Sequence, residues 1–415
     1  MNAVRRRRMS RIVAATAAAL LVTTVAACGD DNDDDAASSS VSVDSSSFPG
    51  KAASGAAVKI GLISAEDGQA VSLPETREAA EAATTYANEN LGGIAGRPIE
   101  LVSCKQQEEP ASARNCANQM VEQKVNAVVV TNTGMTSVIA PIVTRAGIPY
   151  VTSVAGGMED ATGDKAFVWT SGASATLAMA NYATQQKMTS VVAYSMENPA
   201  ALGALEMIAK PAFKAAGIDF NVVSIPFGSP DATPQVSAGL KHKPQGAIIL
   251  GESTVCTSVL KALGTLGSDA QIMTPQPCVA PDVAKAVGDS GIEGVKVFSN
   301  ADTESDDAES KLYRDIMAKY SPETDTSGYA VTGYQGMLAL IRATAGLTGD
   351  VTPDTIITAV RGATDVVLPA GLGITFTCDG TAVTGMKGVC SNQLILSTVK
   401  DGKLTGAEKI GLLGS

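Results

Sequence analysis

The chain has 415 residues, enough for two domains of ordinary size behind an N-terminal segment. Apolar residues make up 45% of it but aromatic ones only 4%, so any core must be built from Ala, Val, Ile and Leu, as in layered α/β proteins. Its formal net charge of −11 at pH 7 repels nucleic acid and argues against a polyanion-binding role.

The first 27 residues predict a sorting signal. Arg5, Arg6, Arg7, Arg8 and Arg11 precede an uncharged stretch, 12–27, rich in Ala, Val and Leu. That stretch is shorter than the ~20 apolar residues of a membrane span and has the layout of a secretory signal peptide. It ends in Val25-Ala26-Ala27-Cys28, which resembles a bacterial lipobox with Val in place of the usual Leu. By that resemblance Cys28 is acylated and becomes the mature N-terminus. Removing the signal takes five arginines from 31 basic residues, leaving 26 against 42 acidic ones, a net of −16. Residues 28–57 are acidic and Ser-rich and predict a disordered tether between the lipid and a folded body.

From residue 58 short apolar runs alternate with helical segments. Residues 58–63 (VKIGLI) predict the first strand, and Ser72-Leu73-Pro74-Glu75 a capping box with Pro in the first helical turn. The helix runs to about Asn90 and stops at Gly92-Gly93, which favour positive φ. A strand at 99–102, a helix at 111–123, a buried strand at 127–130, and a further helix and strand ending at Tyr150-Val151 follow. The rhythm restarts with strands at 190–194, 221–225, 247–250, 271–273 and 295–298. Two such runs predict two doubly wound lobes with parallel sheets and right-handed crossovers. After them come a long helix at 328–345, a short one at 353–359, and a Gly-rich hairpin at 373–399.

Seven cysteines are an odd number. Assigning Cys28 to lipid leaves six in three local pairs: Cys104 with Cys116, Cys256 with Cys278, and Cys378 with Cys390. Export permits disulfides, and no pair has metal-site C-x-x-C spacing. Neither a metal nor a cofactor is expected.

The stretch from Asn88 through Gly92-Gly93-Ile94, Gly96-Arg97 and Ile99-Glu100-Leu101 resembles a segment of the branched-chain amino-acid-binding proteins of ABC transporters. Gly147-Ile148-Pro149 and Asp231-Ala232-Thr233-Pro234-Gln235-Val236 resemble the same family in the same order, so the likeness covers 58–400. It implies a type 1 periplasmic-binding-protein fold with three crossovers near 170–172, 299–302 and 347–351. Lobe one is then 58–170 with 302–347, and lobe two 171–301 with 348–415. It also implies a small polar ligand between the lobes and membrane-embedded permease subunits as partners.

In open parallel sheets, ligands bind beyond the carboxyl ends of the strands. Loops at the strand ends of both lobes carry the candidates. Ser64, Glu66 and Asp67 follow the first strand. Thr133, Gly134, Met135 and Thr136 belong to the loop 131–137, where small residues and hydroxyls open a helix and offer donors to a carboxylate. Ser153, Val154 and Ala155 follow the fourth strand, and Tyr194 and Glu252 come from lobe two. By the resemblance, the acid that holds an amino-acid ammonium falls near Gln276, where no acid stands. Glu252, or Glu66 and Asp67, can substitute; an amide, an amino acid or a small carboxylate fits.

An enzyme is disfavoured. His242, the one histidine, lies in the turn Lys241-His242-Lys243 and offers no triad. Gly251-Glu252-Ser253-Thr254-Val255 lacks the second Gly of a nucleophile elbow, and Gly92-Gly93-Ile94-Ala95-Gly96 follows a helix rather than a strand, so it is no dinucleotide fingerprint. The expected function is solute binding for an ABC importer, with presentation of a solute to a separate sensor as the alternative.

Overall fold

A computed structural model of the chain describes residues 45–69, 71–326 and 328–414. The signal segment and Cys28 lie outside the described residues. Residues 45–57 do not hang free as the tether expectation had it. The one large apolar side chain there, Phe48, inserts between Tyr86 and Tyr320, with ring centroids 5.7 and 6.0 Å away. The Ser47 carbonyl accepts the Tyr86 hydroxyl at 3.0 Å, and Arg97 donates to the Ala56 carbonyl at 2.7 Å. A single aromatic anchor and these bonds suffice to dock a segment whose composition otherwise forbids a core.

The first lobe is built on five parallel strands: β1 (Val58–Ala65), β2 (Ile99–Gln106), β3 (Ala127–Val130), β4 (Tyr150–Thr152) and β5 (Ala166–Val168). Their order is β2-β1-β3-β4-β5, a doubly wound sheet that reverses direction between β1 and β3. Successive residues face opposite layers, as the two-residue period of a strand requires. Ile60 and Leu62 point into one core with the helices Pro74–Asn90 and Ala330–Ala343. Ile63, Val128 and Val130 point into the other, under the helices Pro110–Glu122 and Thr136–Arg145.

The second lobe repeats the scheme with β6 (Ser190–Met196), β7 (Asp219–Ile225), β8 (Gly246–Leu250), β9 (Gln271–Pro275) and β10 (Lys296–Ser299). These five run parallel in the order β10-β9-β8-β6-β7. The chain then departs from expectation. The predicted hairpin at 373–399 does not form. Instead β11 (Val366–Val367) pairs with β12 (Thr375–Phe376) as a small ribbon, and the true hairpin is β13 (Gln393–Lys400) with β14 (Lys403–Gly411). This hairpin joins the second sheet antiparallel to β10, so that sheet is mixed and seven-stranded.

The boundary of lobe two moves accordingly. Residues 348–390 were expected there, but the amphipathic helix Pro353–Gly362 buries Ile356, Ile357 and Val360 in the first lobe's core, beside Leu368, Ile374 and Phe376. The third crossing is therefore at 391–392 rather than 347–351. There the Cys390 N–H bonds the Val168 carbonyl at 2.8 Å and Ser171 donates to the Gln393 carbonyl at 3.0 Å, laying the first and third crossings side by side.

The N-terminal capping box also fails to form. The helix begins one residue later, with Leu73 at its N-cap, and the Ser72 hydroxyl accepts from the Asp67 N–H at 3.2 Å instead. Gly92 and Gly93 do end the helix in the left-handed region, at φ of 80° and 62°. All three expected cysteine pairs are bonded.

The helix Ala330–Ala343 is buried on almost every side, as a helix that is apolar all round must be. It crosses Pro74–Asn90 at Gly333, where a Cβ would overlap the Thr76 carbonyl oxygen. Gly333→Ala is expected to destabilise the protein by about 1–3 kcal/mol, measured as a lower urea midpoint without a change in slope.

Candidate functional site

The carboxyl ends of β3, β4, β8, β9 and β10 converge on a cleft of about 960 Å³, within the range of small-molecule sites. Lobe one supplies Thr131, Asn132, Val154 and the helix start at Tyr329; lobe two supplies Glu252 and Gln276. Asn300, from the second crossing, lies at the back.

Of the thirteen ligand residues expected from sequence, Val154, Glu252 and Gln276 line this cleft. The others are engaged elsewhere. Glu66 is buried and accepts from Ser64 at 2.6 Å, Arg77 at 2.8 Å and Lys105 at 2.9 Å. Burial pushes its carboxyl up, but these bonds outweigh it and hold the group below its ordinary 4.5. Asp67 is exposed and stands in the left-handed region at φ 60°. The Ser64–Glu66–Asp67 loop therefore ties β1 to β2 and the first helix rather than reading a ligand.

The loop after β3 is consumed in a similar way. The Thr133 hydroxyl donates to Glu108 Oε1 at 2.6 Å while accepting the Met135 N–H at 2.9 Å. The Gly134 N–H bonds Glu108 Oε2 at 2.9 Å. Met135 packs against the lobe-one core, and the buried Thr136 hydroxyl faces Tyr150. The loop after β4 presses on this one so closely that a Cβ at Gly156 would overlap Thr133 and Thr136. Its Gly156 and Gly157 N–H groups go to the buried carboxylate of Asp160, at 2.9 and 3.1 Å. Ala155 packs toward the second lobe's core.

Ser153 serves the hinge. Its hydroxyl donates to Gln335 Oε1 at 2.6 Å, which also accepts from Asn300 Nδ2 at 2.8 Å. Tyr194 is fully buried in lobe two, its ring beneath Gly239 and its hydroxyl donating to the Val236 carbonyl at 3.2 Å. Burial alone pushes that hydroxyl up to about 12. It is a core residue; the glycine at 239 in the covering helix is the sequence signal that a large ring lies beneath.

Glu252 reaches the cleft but already caps its own helix, Ser253–Thr265. Its oxygens accept the Thr254 N–H at 2.5 Å and the Val255 N–H at 3.0 Å. Cys256–Cys278 bonds the first turn of that helix to the turn holding Gln276, tying together the two segments that carry these cleft residues.

Tyr329, Thr332 and Asn300 were missed from sequence. The loop 321–329 has no motif, and it meets the cleft only because the helix behind it packs on the first sheet. Asn300 sits in the second crossing, a segment whose sequence reads only as a connector.

Two outcomes test this description. Glu252→Ala should cost the ligand-free protein about 1 kcal/mol through loss of the cap, seen as a lower urea midpoint. Glu66 has a depressed folded-state pKa, so its stabilisation is present above 4.5 and lost as pH falls through the folded value. Glu66→Gln should therefore be less stable by about 1–3 kcal/mol at pH 7, and the gap from the parent protein should close as unfolding is followed below pH 4.5.

A family model described as periplasmic binding protein matches residues 57–392. No curated protein matches the sequence. Solved structures share the fold. A leucine-binding protein, LivK, from Thermotoga maritima is 19% identical with a TM-score of 0.68, over 85% of this chain and 99% of that one. The LivJ protein of Streptococcus pneumoniae, solved with isoleucine, is also 19% identical, with a TM-score of 0.66 over 86% and 100%. A solute-binding protein from R. palustris, solved with benzoate, is 18% identical, with a TM-score of 0.64 over 86% and 96%.

Proposed function

Because the chain belongs to the periplasmic binding protein family, we propose that it is the extracytoplasmic substrate-binding protein of an ABC importer. It takes a small polar solute in the interlobe cleft and delivers it, chemically unchanged, to permease subunits in the membrane. A lipid on Cys28 holds it to the outer face of that membrane.

The observation that carries this reading is the cleft itself. It lies at the carboxyl ends of two doubly wound sheets and is lined from both lobes, by Asn132 and Val154 on one side and Glu252 and Gln276 on the other. A solute touching both walls favours the closed arrangement by whatever free energy those contacts add over the open one. A permease that recognises closed lobes then senses occupancy.

The lipid assignment rests on Val25-Ala26-Ala27-Cys28 and on the charge pattern before it. With residues 45–57 docked on lobe one, 17 residues, 28–44, join the anchor to the body.

Cell fractionation tests the anchor. The parent protein should partition into detergent with the membrane fraction, and Cys28→Ser should move to the aqueous phase with its fold intact. Equal partitioning of the two would remove the lipid from this reading.

A further inference from the structure

Resting on the reading of the cleft as a solute site, we propose that its ligand carries no carboxylate and is held as a hydrogen-bond donor: a small amide or amine. The cleft can satisfy hydrogen-bond donors better than a negative charge.

A carboxylate moved from water into a closing cleft is costly unless helix-end N–H groups or basic side chains replace its hydration. In the loops around the cleft, several such N–H groups are taken by the protein's own carboxylates. Glu108 holds the Gly134 N–H at 2.9 Å and the Thr133 hydroxyl at 2.6 Å. Asp160 holds Gly156 and Gly157 at 2.9 and 3.1 Å. Glu252 holds Thr254 and Val255 at 2.5 and 3.0 Å. The Tyr329 N–H, at the start of Ala330–Ala343, bonds the Glu75 carboxylate. The helix Ala175–Gln185 turns its entry inward as well, with the Gly172 N–H on Thr170 Oγ1 and the Ser174 N–H on the Ser171 carbonyl.

Basic side chains do not compensate. Among the described residues the cleft lining holds one, Lys403. It pairs with Lys400 at the far end of the β13–β14 hairpin, whereas Ile395 pairs with Ser299 at the end of the lining where the two lobes face each other. Five residues of strand separate the two places, about 17 Å. Arg77 and Lys105 are bound to Glu66, outside the cleft.

Acceptors, by contrast, are at hand. A carboxylate accepts about four hydrogen bonds, and each Glu252 oxygen receives one from the backbone. Glu304 is an exposed second acid in the lining. Asn300 gives its Nδ2 to Ser153 and Gln335, and Gln276 and Asn132 add side-chain amides. Tyr329, 38% exposed, adds an aromatic ring, a favourable neighbour for an amine. Donor-rich solutes find partners on both walls; carboxylates find repulsion.

Calorimetry on the full chain in detergent decides this with triads that differ only at the polar end: benzoate, benzamide and benzylamine; isovalerate, isovaleramide and isoamylamine; acetate, acetamide and ethylamine. In every triad that binds, the amide or the amine should bind at least tenfold more tightly than the carboxylate, and which of the two leads separates neutral from charged recognition. A carboxylate that binds as tightly as its amide and amine overturns the inference and leaves the solute-binding reading standing. Silence from all three triads overturns both.

Discussion

One buried side-chain amide ties the second crossing between the lobes to the first lobe. Gln335 is fully buried in the helix Ala330–Ala343, and all four of its hydrogen-bonding positions are used. Its Oε1 accepts from Ser153 Oγ and Asn300 Nδ2, and its Nε2 donates to the Asn300 and Pro369 carbonyls at 2.9 and 2.8 Å. The end of β4, the second crossing and the loop before β12 are thus held to one helix. A buried amide left with an unmet donor or acceptor costs about 1–3 kcal/mol, so none of the three segments can shift without a penalty. Trp169, on the first crossing, is tied to the same helix by its indole N–H on the Gly336 carbonyl at 3.1 Å. Asn300, which lines the cleft, is therefore held in a fixed place against that helix.

The same economy explains the self-capped loops. A βα loop at a cleft leaves backbone N–H groups that need partners whether or not a ligand is present. Here Glu108, Asp160 and Glu252 supply them. Burial pushes the Asp160 carboxyl above its ordinary range while the Gly156 and Gly157 N–H groups pull it back, the balance expected when backbone donors do the work of a counter-ion. The arrangement fixes the walls and removes the anion-binding donors together. Structures of the same fold have been solved with isoleucine and with benzoate, so the fold itself does not choose the charge of a ligand; loop chemistry does.

Disulfides reinforce these loops in different ways. Cys104–Cys116 joins β2 to the helix that covers it, and Cys378–Cys390 closes the excursion before the third crossing. Cys256–Cys278 lies under the cleft. All three close short loops, where the cross-link acts on the unfolded chain at about 3 kcal/mol each.

The sequence by itself determined what depends on near neighbours. The two-residue and helical periods predict nine of the ten parallel strands in two runs, missing only β5, the Gly92-Gly93 stop gave a helix end, and the three local cysteine pairs needed no knowledge of the fold. It also placed the cleft at the strand ends, because that follows from parallel topology. The tertiary structure alone decided what depends on partners far along the chain. Whether Thr133 and Gly134 face a ligand or Glu108, whether Glu66 faces the cleft or Arg77, and whether the helix Pro353–Gly362 joins lobe one or lobe two are matters of packing between segments. So is Tyr194, whose ring fits the core because Gly239 makes room some 45 residues later. A hydroxyl or carboxylate looks equally available in sequence whether water, a ligand or a buried backbone N–H will claim it, and only the assembled fold shows which of these came first.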